Sequence, residues 1–168
     1  QGLQSNVGYT VIESLTTEVG QRLAGSDAEA RARDWGVAKL KALGFQNVRV
    51  EPFQVMYWKR NAESAEILMP YPQKLVITAL GGSVATDADG VIGAIVKFPT
   101  LQALKDAPMT GLEGKIVFVD EYMTRTQDGS GYGAAVQKRS GAANEAGKRG
   151  AVAALIRSVG TDHHRFPH

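Results

Sequence analysis

The sequence predicts an α+β chain in two parts: two helices and a bent strand up to residue 59, then a strand-rich unit with one long crossover helix. Three observations carry this. Apolar residues recur at helical spacing before residue 45, and short apolar runs broken by Gly, Pro and Asp dominate after residue 60. Near the end, an apolar strand, a helix of small residues and a second apolar strand follow one another.

The first helix is expected from Asn6 to Val19, where Val11, Ile12, Leu15 and Val19 make one stripe and Gly20 closes it. Ser26, followed three residues later by Glu29, has the capping-box pattern that opens a second helix. That helix carries Ala28, Ala32, Trp35, Ala38, Ala42 and Leu43 on one face, and Gly44 stands where a left-handed cap is wanted. Val48 and Val50 then alternate with polar residues, Pro52 interrupts, and the alternation resumes out of step at Phe53 and Val55. A bent strand fits that change of parity.

Strands are expected at Ala65 to Met69, Leu75 to Leu80, Val91 to Phe98 and Lys115 to Val119, with a short helix from Leu101 to Ala107 before Pro108. Gly131 to Arg149 reads as one helix, in which Ala135, Ala142 and Ala146 are small enough to lie close to a sheet. Gly150 ends it and Ala151 to Ile156 follows as an apolar strand, so a right-handed crossover and a locally parallel pair are expected.

The 168 residues are 43% hydrophobic, enough apolar side chain to offset the entropy of ordering the backbone. A net charge of +2, with the basic pairs Lys138-Arg139 and Lys148-Arg149 set apart by neutral residues, argues against nucleic acid as a partner. Leu75 to Thr86, the longest uncharged run with membrane-forming residues, is too short and too polar to span a bilayer. The absence of cysteine removes thiolate catalysis and sulfur-bound zinc. Gln1 to Ser5 has neither the basic start nor the apolar core of a signal peptide, and reads as a processed or trimmed end.

No complete active site stands out, so no catalytic, cofactor-binding or metal residue is assigned. His163, His164 and His168 fall together with Asp162, but Pro167 opposes the helix that would put two of the imidazoles on one face. Gly129-Ser130-Gly131-Tyr132-Gly133-Ala134 has the glycine spacing of a phosphate cradle. The polar stretch from Asp120 to Asp128, however, separates it from the preceding strand, where a dinucleotide fold has a tight turn. Asp120, Glu121 and Asp128 are candidates for acid-base work, with solvated loop charge as the plainer reading. No Gly-x-Ser-x-Gly elbow occurs. Tyr57 and Trp58, beside Lys59 and Arg60, could form a binding surface or pack the junction between the two parts.

Several strings resemble one family in the same order. They are Leu15-Thr16-Thr17-Glu18-Val19-Gly20-Gln21-Arg22-Leu23-Ala24-Gly25-Ser26, Leu43-Gly44-Phe45-Gln46-Asn47-Val48-Arg49, Ala79-Leu80-Gly81-Gly82-Ser83, Gly114-Lys115-Ile116-Val117-Phe118-Val119, and the run from Ala146 to Ile156. Arg157-Ser158 and Phe166-Pro167-His168 extend the likeness. The family is that of zinc-dependent exopeptidases with an inserted protease-associated domain, related to plasma glutamate carboxypeptidase (carboxypeptidase Q) and bacterial aminopeptidases. The resemblance implies that residues 1–59 begin the peptidase domain. Residues 60–168 would then form a protease-associated domain of swivelling β/β/α type, incomplete at its C-terminal end.

The same resemblance implies a secreted or periplasmic enzyme that hydrolyses terminal peptide bonds with two zinc ions and a Glu base. The family's His-x-Asp ligand pattern is missing from this sequence, since His163 and His164 are followed by Arg165 and Phe166. The chain alone is therefore expected to bind no cofactor and to be inactive, the two zinc ions belonging to the full-length parent. Its expected partners are the remaining peptidase half or another copy of the chain, which would cover the apolar face of Ala32, Trp35 and Ala42. A free-standing peptide- or protein-binding module is the alternative, and a nucleotide site at Gly129 to Gly133 a third.

Overall fold

The computed structural model describes residues 5–163. Contacts divide the chain into two compact units, Gln1–Lys59 and Arg60–His168.

In the first unit, α1 (Val7–Ser14) runs directly into one π-helical turn (Leu15–Val19), which stops at Gly20 with φ +73°. The widening has a local cause. Thr16 Oγ1 donates to the Ile12 and Glu13 carbonyls and Thr17 Oγ1 to that of Glu13, so hydroxyls compete for the acceptors of a regular α-turn. Helix α2 (Asp27–Ala42) begins with Ser26 Oγ accepting the Glu29 N–H at 3.2 Å. The capping box is only half formed, because the Ser26 N–H goes to the Leu23 carbonyl and the Glu29 carboxylate pairs with Arg33. At the other end Phe45 N–H bonds the Leu40 carbonyl and Gly44 N–H that of Lys41, with Gly44 at φ +88°, a complete Schellman cap.

The two helices meet through Trp35, whose Nε1 donates to Ser14 Oγ at 2.7 Å while that hydroxyl donates to Glu18 Oε1 at 2.6 Å. Ser14 and Val19 are the buried residues of this unit among those described. Trp35 is half-buried, whereas Ala42, Leu43 and Ile12 remain exposed, so the apolar faces are only partly covered within the unit. The bent strand expected over Val48 to Val55 is not formed. A strand exists only when its backbone groups pair with a neighbour, and alternation supplies no neighbour; Pro52 also removes one donor. Instead Tyr57 packs its ring against the backbone of Gly25, where a Cβ would lie 3.0 Å from Cδ2.

The second unit holds a two-stranded antiparallel sheet, β1 (Ala65–Ile67) with β2 (Gln73–Leu75), and a parallel sheet of order β3-β4-β5 (Ile95–Phe98, Ile116–Val119, Ala153–Ile156). Strands β1, β3, β4 and β5 are shorter than the apolar runs that announce them, whereas the strand expected at Leu75 to Leu80 is displaced: β2 ends at Leu75, and residues 76–80 form no strand. The parallel register aligns Val96, Val117 and Ala154 in one row and Phe98, Val119 and Ile156 in the next. Both rows face α3 (Leu101–Asp106) and α5 (Gln137–Lys148), where Leu101, Leu104, Ala142 and Ala146 complete the core. The small residues of α5 allow the close approach: Gly141 sits so near Leu101 that a Cβ would come within 3.0 Å of its Cδ2.

The helix expected from Gly131 to Arg149 is two, α4 (Ser130–Ala135) and α5, parted at Val136, where Arg139 N–H bonds the carbonyl three residues back. The buried guanidinium of Arg149 locks the far end of this layer, donating to the Lys105 and Ala107 carbonyls past α3 and to Glu145 on its own helix. Replacing Arg149 with Met strips these acceptors of a charged donor. Urea unfolding of R149M should show a loss of about 2–4 kcal/mol, whereas Met56→Ala at a fully exposed position should shift stability by no more than about 0.5 kcal/mol.

Candidate functional site

The C-terminal ends of parallel strands are where ligands gather in open sheets, because the loops there are free to vary above a rigid edge. In this chain the ends of β3, β4 and β5 bring together Lys97, Asp120, Glu121, Tyr122, Lys138 and Arg157. Asp120 is 6% exposed, and its carboxylate is held from both sides. Lys97 Nζ lies 2.5 Å from Oδ2 and Arg157 Nε donates to Oδ1 at 2.6 Å. The Arg157 guanidinium also stacks 3.9 Å from the centre of the Tyr122 ring and donates to its hydroxyl at 2.9 Å. Backbone bonds stitch the same corner, from Asp120 N–H to the Phe98 carbonyl and from Arg157 N–H to that of Val119.

Burial alone would raise the Asp120 pKa. The hydrogen bonds and charges of Lys97 and Arg157 outweigh it and hold the carboxyl below the usual range, so the group is an anion and not a poised acid. Lys138 is fully buried, and its Nζ donates to the Glu121 carbonyl at 2.5 Å. Desolvation pulls its pKa down, Glu121 opposes this, and Arg157 adds to the depression. Glu121 itself accepts the Leu101 N–H at 2.9 Å and so caps α3 beside Thr100, whose hydroxyl accepts from Ala103.

Of the carboxylates considered for acid-base work, Asp120 and Glu121 are thus spent on strand ends and a helix cap. Asp128 accepts from both Ser130 N–H and Ser130 Oγ, and these bonds hold its pKa below the ordinary value. The glycine string after it forms no open cradle. Ser130 N–H is taken by Asp128, Gly131 N–H by Thr126 Oγ1, and the Tyr132 and Gly133 N–H groups by the Gly129 carbonyl. Gly131 is required for a packing reason, since a Cβ there would fall 1.8 Å from the Thr124 carbonyl oxygen. The N–H groups of residues 130–133 are thus turned to internal acceptors and not to a phosphate, which weighs against the nucleotide alternative.

His163 is described, while His164 and His168 lie outside the described residues. Among the described residues no group of three or more His, Asp or Glu side chains could hold a metal ion. The donors among the described residues therefore do not fit a two-zinc centre, which needs several convergent N and O ligands on each ion. Among the described residues no helix is long and apolar enough to cross a membrane. Sequence reasoning missed Lys97, Lys138, Arg149 and Arg157, the cations that organise this unit. A signal existed for Arg157 and Asp120, since each stands directly after an apolar strand, where paired charges collect.

No protein-family model matches the chain. Carboxypeptidase Q of Bos taurus is 36% identical over 167 residues, which takes in 99% of this chain and 34% of the bovine protein. The Homo sapiens protein of that name is 32% identical, with the same coverage. A solved structure of a peptidase M28 precursor from Shewanella amazonensis aligns with a TM-score of 0.83 at 51% identity, over 96% of this chain and 37% of that one. The chain is thus related along nearly its whole length to carboxypeptidase Q and to this M28 peptidase. It spans about a third of the length of these relatives. Because nearly all of the chain aligns with carboxypeptidase Q, both units and the charged corner lie within the related span.

The depressed Asp120 pKa has a consequence for stability. Its ion pairs contribute fully above the unfolded-state value and are lost as pH falls through the lower folded-state value, so stability should decline below about pH 4. Asp120→Asn should be less stable than the parent at neutral pH and should flatten that acid limb, as measured by urea midpoints between pH 2.5 and 7; an unchanged acid limb would remove the ion pairs from the account.

Proposed function

We propose that the chain is a non-catalytic portion of a secreted or periplasmic zinc exopeptidase. Residues 1–59 belong to its peptidase domain, and residues 60–168 form a protease-associated domain that covers the cleft or mediates assembly. What supports this reading is the similarity to carboxypeptidase Q along nearly the whole chain, together with a strand-end corner in which Asp120 serves an ion pair and Glu121 a helix cap.

In the parent enzyme two zinc ions would polarise the scissile carbonyl and generate hydroxide. On this reading the remainder of the enzyme supplies the metal ligands and the Glu base, and the peptide substrate is bound with its help. The weakly covered faces of the first unit fit the same reading. Tyr9 and Ile12 on α1, and Leu23, Phe45, Phe53 and Met56 in the segments outside the helices, are all exposed, which supports a surface that lies against further protein.

Purified chain incubated with zinc and with aminoacyl and dipeptide reporters should show no turnover above buffer. Hydrolysis that scales with the concentration of chain, and survives repurification, would overturn the assignment.

A further inference from the structure

Lysine followed directly by arginine occurs three times in the chain, at Lys59-Arg60, Lys138-Arg139 and Lys148-Arg149. The fold protects two of these pairs. Lys138 and Arg139 lie in α5, with the Lys138 side chain fully buried and bonded to the Glu121 carbonyl. Lys148 ends the same helix, and the buried Arg149 guanidinium next to it is bonded to the Lys105 and Ala107 carbonyls and to Glu145. Either pair can enter another protein's site only if α5 unwinds, and Ala142 and Ala146 of that helix belong to the core.

Lys59-Arg60 has no such protection. Residues 46–63 lie outside every helix and strand, and among the described residues their backbone groups make no hydrogen bond to another backbone group. From Phe53 to Ala62 every residue is exposed except the half-buried Trp58. An endoprotease takes its substrate as an extended strand and pairs with its backbone, so a stretch with no internal backbone partners already offers what such an enzyme binds. The Lys59 ammonium has no carboxylate within ion-pair distance among the described residues. Arg60 donates to the Ala79 carbonyl at 2.7 and 3.2 Å and lies 3.5 Å from Glu63, with its side chain about half exposed. A carboxylate in a protease pocket replaces these acceptors with one that a guanidinium bonds more strongly than a carbonyl.

We propose that Lys59-Arg60 is a processing site for an endoprotease that reads paired basic residues. Water adds across the Arg60–Asn61 peptide bond, its hydroxyl going to the Arg60 carbonyl carbon and its proton to the Asn61 nitrogen. Two adjacent cations select an enzyme with two acidic pockets, one for each side chain. The scissile bond stands one residue past the division of the chain into compact units, and β1 begins only at Ala65. Both sheets, and the core around Leu104, Val117 and Val119, therefore lie wholly in the C-terminal product, which keeps its fold. Cleavage requires only the folded chain, whatever reaction the parent enzyme performs.

The test incubates the intact chain with a subtilisin-like endoprotease specific for Lys-Arg pairs, beside a synthetic peptide of residues 54–66 as the unfolded reference, and identifies the products by mass. The first cut should fall after Arg60 and give fragments 1–60 and 61–168. Its rate should exceed that of any cut after Arg139 or Arg149 by about tenfold or more, and should lie within about a hundredfold of the peptide's. Arg60→Gln, at an exposed position, should abolish this cut. Amide exchange in the 61–168 product should leave Leu104, Val117 and Val119 as protected as in the intact chain. A first cut after Arg139 or Arg149, survival of the chain while the peptide is consumed, a cut that persists in Arg60→Gln, or loss of protection in the product would each overturn the proposal.

Discussion

The corner at which β3, β4 and β5 end is organised by one buried carboxylate. Asp120 draws in Lys97 from the end of β3 and Arg157 from the end of β5, so a single anion ties three strands whose hydrogen bonding alone spans only four residues each. Desolvating such a group costs several kcal/mol, and two cationic partners offset that cost only while the geometry holds. The arrangement fixes what the adjoining loop can do. Arg157 is occupied by Asp120 and Tyr122, Glu121 by the α3 terminus, and Lys138 by the Glu121 carbonyl, which leaves a rigid corner and no free acid or base poised for proton transfer.

That commitment of charge to architecture agrees with what the two units do with their apolar residues. The second unit has a true core beneath its parallel sheet, centred on Leu104, Val117 and Val119. The first has a tryptophan, a serine and a glutamate in a hydrogen-bonded chain, but few buried apolar residues to stabilise it. One well-packed unit beside one thinly packed one supports the proposal that further protein covers the first unit.

Much of the helical content was legible in the sequence, because caps and stops are local. Ser26, Gly44 and Gly20 act through backbone groups within a few residues, and each ends or begins a helix where it stands. The strands near the end were legible for a related reason: β4 and β5 are apolar runs joined by a helix of small residues, which admits little besides a parallel pair. What failed was long-range. The alternation around Pro52 promised a strand that finds no neighbour, and the long helix after Gly131 gave no warning of the break at Val136. The site was least legible of all, since Lys97, Asp120 and Arg157 lie 23 and 37 residues apart in sequence and meet only because the register puts the three strand ends side by side.

The claim that these charges serve architecture is a claim about energetic coupling, and a double-mutant cycle on Asp120→Asn and Arg157→Gln, read by urea unfolding at neutral pH, addresses it most directly. The account predicts a coupling energy of at least about 1 kcal/mol, the two changes together costing much less than their sum. Additivity to within about 0.5 kcal/mol would contradict it, showing that Arg157 is no energetic partner of Asp120.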